Sequence, residues 1–174
     1  MEFTVSRART SDVRAIRRLV DANADSGRLL GKDTVTLYED VQEFWVARQH
    51  EDGAVIGCGA LHVMWEDLAE IRTIAVAGSC QGHGVGEAIV DALLMTARDL
   101  GVRRVFVLTF ATGFFARRGF REIKGTPVSH EVYAELLRSY DEGVAEFLDL
   151  DRVKPNTLGN TRMLLHLDVP DRSP

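Results

Sequence analysis

Gln81-Gly82-His83-Gly84-Val85-Gly86 lies between an apolar run, Ala69 to Val76, and a helical pattern that begins at Glu87. Glycine has no Cβ, so a glycine-rich turn lets a ligand approach the backbone closely. The first turn of a helix carries N–H groups without intrahelical partners, and the helix dipole adds partial positive charge there. A glycine-rich turn that opens a helix is therefore a phosphate cradle. A P-loop would need Lys and then Ser or Thr after its last glycine, but Glu87 and Ala88 follow Gly86, so that reading fails. A dinucleotide loop fits poorly: Gly86 follows Gly84 by two positions, and the next strand closes on Val107-Leu108-Thr109 without an acidic residue.

The surroundings define a strand, loop, helix, strand unit. Ala88, Ile89, Ala92, Leu93, Met95, Thr96 and Leu100 fall on and around one face of a helix over Glu87 to Leu100, which Gly101 ends. Val105 to Leu108 is wholly apolar, as expected of a strand buried on both faces. Before this unit, Phe3 to Arg7 alternates as a strand, and Thr10-Ser11-Asp12 offers caps to a helix carrying Val13, Ile16, Leu19 and Val20. Gly27 to Thr36 reads as a loop leading to a short helix near Leu37 to Asp40. Phe44 to Ala47 and Val55 to Leu61 flank Glu51-Asp52-Gly53, a hairpin signal. After Pro127, Ser129 can cap a helix through Tyr133, Leu136, Leu137 and Tyr140, and Arg162 to Leu167 closes the chain as a strand.

The 174 residues suit one compact domain, 1–174, with no repeat and no linker. A net charge of −5 disfavours nucleic acid and anionic membrane as partners, so an anion site must be built from local cations. No signal-peptide pattern and no apolar stretch near the roughly 20 residues of a membrane span is present, which predicts a cytoplasmic protein. Cys58 and Cys80 lack metal-ligand spacing and read as reduced thiols, with no metal expected.

The pattern of Gln81, Gly84 and Gly86 after a strand resembles the acyl-CoA pyrophosphate loop of the GNAT acetyltransferase superfamily. Phe114-Phe115-Ala116-Arg117-Arg118-Gly119-Phe120 resembles the family's late helix, where Gly119 caps and Phe120 enters the next strand. The resemblance implies a mixed α/β GNAT fold, a central and mostly antiparallel sheet with splayed strands and flanking helices. It implies acetyl-CoA as cosubstrate, held by Gln81, Gly82, His83, Gly84, Val85 and Gly86 and by the backbone of Ile74, Ala75 and Val76, with Phe115 beside it. It also makes Glu70 the catalytic base, since an ammonium has no lone pair until it loses a proton. Against this stands Glu70 as a plain partner of Arg72, two residues on. Many family members carry Tyr where Phe115 stands; Phe115 donates no proton, and the acid is water or another group such as Tyr133.

A narrower resemblance reaches across nearly the whole chain. Val105 to Thr109, Phe114 to Phe120, Lys154 to Arg162, Leu37-Tyr38-Glu39 and Glu43-Phe44-Trp45-Val46 look like the GNAT domain of N-acetylglutamate synthases. This implies acetylation of the α-amine of L-glutamate, or L-glutamine, in arginine biosynthesis. A dicarboxylate acceptor needs cations, for which Lys32, Arg72, Lys154 and Arg162 are the candidates, with Asn160 beside them. Each also reads as an ordinary solvated surface group. His83 is expected to face solvent, His62 to line the core or the acceptor wall, and the run Glu142, Glu146, Asp149, Asp151 to form a solvated face. Two alternatives remain: a GNAT enzyme for another amine, peptide or protein N-terminus, and a non-catalytic acyl-CoA-binding module. A homodimer is the default assembly, and without a kinase domain arginine inhibition is expected to be weak.

Overall fold

The computed structural model describes residues 1–24, 33–153 and 159–168. In chain order the elements are β1 (Phe3–Arg7), α1 (Val13–Ala24), α2 (Thr34–Glu39), β2 (Phe44–Gln49), β3 (Val55–Trp65), β4 (Leu68–Val76), α3 (Val85–Asp99), β5 (Arg104–Thr109), α4 (Thr112–Ala116), β6 (Arg121–Glu122), α5 (His130–Leu136), α6 (Glu142–Phe147) and β7 (Thr161–His166). The strands form a seven-stranded sheet in the order β1-β2-β3-β4-β5-β7-β6. The chain forms two compact units, Met1–His62 with Ile71–Asp99, and Val63–Glu70 with Leu100–Pro174.

In the first unit β1 pairs antiparallel with β2 from Phe3↔Gln49 to Arg7↔Trp45. β2 pairs antiparallel with β3 from Phe44↔Ala60 to Arg48↔Val55, with a bulge between Ala47 and Arg48. The hairpin signal is realised as a turn in which Gly53 has φ +70° and the Asp52 carboxylate accepts the Ala54 N–H at 2.9 Å. Asp12 opens α1 by accepting the Arg9 N–H at 2.8 Å and pairing with Arg48 at 2.9 Å. Val13, Ile16, Leu19, Val20, Leu37, Phe44, Val46 and Cys58 belong to one buried core.

Helix α3 lies so close to β3 that side chains have been removed to admit it. A Cβ on Gly57 would sit 2.8 Å from Val85 Cγ1 and 2.9 Å from Ile89 Cδ1, and one on Gly59 would sit 2.8 Å from Ile89 Cγ2. The helix starts at Val85, two residues ahead of the expected Glu87, because Val85 is already core. Its buried stripe is Val85, Ile89, Val90, Leu93, Leu94, Thr96 and Ala97, so Ile89, Leu93 and Thr96 point inward as expected, whereas Met95 is 64% exposed and Leu100 is exposed too. The predicted face was therefore rotated: i to i+4 steps from Val85 define the true stripe. Gly101, at φ +82°, ends the helix as expected.

In the second unit the first residues of β4 run parallel to β5, from Leu68↔Arg104 to Glu70↔Phe106. β5 and β7 pair antiparallel along their whole length, Arg104↔His166 to Thr109↔Thr161, and β6 adds to β7. Arg104 reaches Asp67 with two N–H···O bonds at 3.0 and 3.2 Å, which fixes the start of the parallel pair. Met64, Leu68, Phe106, Leu136, Val144, Phe147, Leu148 and Leu164 form the core. Ser129 does cap a helix, with Val132 N–H donating to its hydroxyl at 3.3 Å, but α5 ends at Leu136 and Tyr140 is 98% exposed. A further helix, α6, follows where the sequence reading placed a solvated acidic face. Gly143, Val144, Ala145, Glu146 and Phe147 are buried, while Glu142 keeps to the surface and pairs with Arg152 at 2.8 Å. The spacing of Val144, Phe147 and Leu148 after the cap residue Asp141 was the overlooked helical signal.

Candidate active site

β4 ends at Val76 and leads through a single tight turn, Gly78–Cys80, into the glycine loop. The turn is pinned by Ala77 N–H to Ile56 O at 2.9 Å and Cys80 N–H to Ala77 O at 2.8 Å. Gly82 and Gly84 have φ of +78° and +81°, a conformation costly for residues with a Cβ. A Cβ built on either would meet nothing within 4 Å, so the backbone there is open to an approaching group. The first hydrogen bond of α3 is Ala88 N–H to Gly84 O at 3.0 Å, so the amides just before Ala88 stand at the helix start. Side chains brace the loop from within: Gln81 Nε2 donates to Val76 O at 3.4 Å, and His83 Nδ1 lies 2.9 Å from Gln81 O on an exposed ring. The Val85 side chain belongs to the core, which leaves its backbone to the loop. Open, positive-φ glycines ahead of a 15-residue helix are what a pyrophosphate requires of a protein.

Upstream of this loop, β4 carries a feature that the sequence did not announce. Thr73 has φ +60°, left-handed backbone at a β-branched residue inside a strand. It is buried, and the Cys58 thiol lies 3.7 Å from its carbonyl. Such a residue bends the strand locally and re-aims the backbone groups that follow, here those of Ile74, Ala75 and Val76. Ile74 packs its side chain over Gly59 and Ala75 is buried in the core, so any ligand role for these residues falls to their main chain.

Arg72, one residue before the bend, has a side chain only 11% exposed and an Nη2 3.4 Å from Glu43 Oε2. The other oxygen of Glu43 meets His62 Nδ1 at 2.7 Å. Glu43 therefore bridges a cation and an imidazole at the end of a short turn before β2. Glu43 lies 19 residues from His62 and 29 from Arg72 in the chain, so only the fold joins the three, and in the sequence Glu43 is merely the first residue of Glu43-Phe44-Trp45-Val46.

In the second unit Glu70 is buried, at 3% exposure, with β5's Phe106 as its register partner. Phe115 is buried edge-on to Phe114 at 5.0 Å and to Phe120 at 5.2 Å, so its ring serves packing within this unit. Gly119, at φ +87°, turns the chain from α4 toward β6 as the motif implied. Arg162 Nε donates to Glu146 O at 3.2 Å, Nη2 donates to Phe147 O, and the guanidinium lies 6.0 Å from the Phe106 ring centre. These contacts make Arg162 a brace for the end of α6. Burial lowers its pKa from the usual guanidinium value, and the charge of Asp149 acts in the opposite sense. Asn160 is half-buried just ahead of β7. Lys32 and Lys154 lie outside the described residues.

Residues 14–120 match the Acetyltransferase (GNAT) family. The chain belongs to the GNAT acetyltransferase family. A GNAT relative from Mycobacterium tuberculosis, named amino-acid acetyltransferase, is 67% identical over 165 residues, covering 94% of this chain and 94% of the relative. An amino-acid acetyltransferase from Neisseria meningitidis serogroup A is 32% identical over 68% of this chain, which spans 27% of that protein. Among solved structures, a Mycobacterium tuberculosis protein in complex with CoA and NLQ superposes with a TM-score of 0.91 at 65% identity, covering 94% of this chain and 99% of that one. The N-acetylglutamate synthase of Neisseria gonorrhoeae, complexed with coenzyme A and N-acetyl-glutamate, shares the fold with a TM-score of 0.74 at 24% identity, covering 96% of this chain and 35% of that one. This GNAT chain is an acetyltransferase that uses acetyl-CoA. Among its described residues no helix is long and apolar enough to cross a membrane, and no group of three His, Cys, Asp or Glu residues could hold a metal ion.

Proposed function

We propose that this protein transfers the acetyl group of acetyl-CoA to the α-amine of L-glutamate, or of L-glutamine, and so opens arginine biosynthesis as a single-domain cytoplasmic enzyme. The observation that carries the reading is Arg72, a largely buried cation held in place by Glu43 two residues along β4 from the buried Glu70. An acceptor with carboxylates calls for such a preset cation, whereas a site for simple amines would favour acidic groups. The 67% identical relative named amino-acid acetyltransferase supports the same class of acceptor.

The residues then take distinct tasks. Main-chain amides of Gly82, Gly84, Val85 and Gly86 receive the pyrophosphate, with Gln81 and His83 holding the loop's shape. The backbone of Ile74, Ala75 and Val76, turned by Thr73, lines the pantetheine arm in the manner of an added strand. Acetyl-CoA, when bound, supplies a thioester whose acetyl carbon the free amine attacks. Glu70 takes the proton that the ammonium must lose first. Arg72 orients the acceptor through a carboxylate, and Lys32, Lys154 and Asn160 complete the proposed acceptor-binding set, while Arg162 keeps its place as the brace of α6. Phe115 keeps its place apolar and donates no proton, and a free thiol's pKa of about 8.5 makes the thiolate a tolerable leaving group with water as acid.

The test is release of CoA from acetyl-CoA, read with a thiol reagent, across free amino acids, polyamines and short peptides. Turnover confined to glutamate and glutamine is the expected result. Turnover only with other amines would move the substrate, and tight acetyl-CoA binding without turnover on any acceptor would make the chain a binding module. Light scattering at assay concentration tests the proposed homodimer.

A further inference from the structure

We propose that Gly143 is the positioning residue for Glu70, the missing side chain at this point of α6 being what lets the Glu70 carboxylate occupy its place. The proposal rests on Glu70 acting as the base. A Cβ built on Gly143 would overlap Glu70 Oε2 and lie 2.8 Å from Cδ and 3.0 Å from Oε1. No other glycine in the described residues meets a carboxylate in this way.

The helix that carries Gly143 is fixed at both ends, so it does not retreat. At its start Asp141 Oδ1 accepts the Val144 N–H at 3.0 Å, and at its end the Arg162 guanidinium holds the carbonyls of Glu146 and Phe147. Phe147 meets Phe106 edge-on at 5.3 Å, and Phe106 is the β5 partner of Glu70 itself. Gly143 is absent from the residues with positive φ, so its backbone suits alanine, which is the better helix former. Local conformation therefore gives no reason for glycine here; the carboxylate does. Because the obstructing atoms end a flexible side chain, a methyl group at 143 would displace the carboxylate and leave the backbone in place. Glu70 is buried, so the displaced group has to find room among packed neighbours.

Gly143→Ala should lower kcat at least tenfold while the acetyl-CoA Kd and the acceptor KM change less than threefold. The penalty should shrink in a Glu70→Asp background, where the shorter side chain vacates the contested space. A role confined to helix packing would cost the same in both backgrounds. If Gly143→Ala alone does not fold, recovery of a folded, active protein in the Gly143→Ala/Glu70→Asp double variant supports the proposal, and no recovery overturns it. Glu70→Gln is measured alongside. Unchanged turnover there removes the base, and the positioning role falls with it. A clear loss in Glu70→Gln together with wild-type kcat in Gly143→Ala overturns the positioning role alone.

Discussion

Glu70 and Arg72 are near neighbours in sequence with opposite charges and separate surroundings, and substitutions should separate their tasks. Glu70→Gln keeps the shape and removes the proton acceptor, so kcat should fall about a hundredfold or more with acetyl-CoA affinity unchanged by calorimetry. Arg72→Ala should leave kcat within a few fold and raise the acceptor KM about ten- to a hundredfold, the usual scale for losing a charged hydrogen bond. Cys58 makes a third residue-level prediction. Complete burial pushes its thiol from about 9 up to about 12, a bond from Ala75's backbone pulling the other way. The folded state holds this proton more tightly than the unfolded chain, so its contribution is whole below pH 9 and is lost as pH rises from 9 to 12. Denaturant melts across that window should show Cys58→Ala losing less stability with alkali than the parent protein.

At the scale of elements, the seat of α3 on β3 decides where the phosphate loop stands. Gly59→Val would drive a branched side chain into Ile74 and Ile89, and overpacking of this kind costs about 1–3 kcal/mol. A thermal melt should fall by several degrees, and Ile89→Ala in the same chain should recover part of the loss because it empties Ile89's share of the contested volume and leaves that of Ile74 filled. The helix itself was legible in the sequence through its glycine-rich start and its Gly101 stop. Its buried face was less so, since Met95 and Leu100 are as apolar as the residues that point inward. The loop was legible because positive φ demands glycine and the demand leaves a mark. Thr73 left none: its φ of +60° falls on a residue whose type gives no sign of it. α6 was hidden by its charges, for Glu142 and Asp149 masked the spacing of Val144, Phe147 and Leu148. With α6 hidden, nothing in the sequence could bring Gly143 to Glu70, and nothing could bring Glu43 to Arg72.

For the whole molecule, net charge sets a condition that the site must answer locally. At −5 the chain repels the carboxylates and phosphates it is proposed to bind, so its cations have to be placed by structure. Arg72 meets that need through Glu43, while Arg162 and Arg104 are committed to holding the second unit together. The same division explains what composition could tell: it disfavoured nucleic acid as a partner and left the choice of acceptor to individual side chains.

The burial of both cysteines bears on the life of an enzyme whose by-product is a thiol. In the proposed site each turnover would set CoA free beside a loop whose preceding residue is Cys80, and oxidised CoA would readily form a mixed disulfide with an accessible neighbour. Cys80 is 4% exposed and Cys58 is fully enclosed, so neither sulfur offers a path for that exchange. Intact mass should therefore stay unchanged after incubation with CoA disulfide, and the same treatment in denaturant should add CoA to the chain. An enzyme built this way is not capped by its own product when its surroundings turn oxidising.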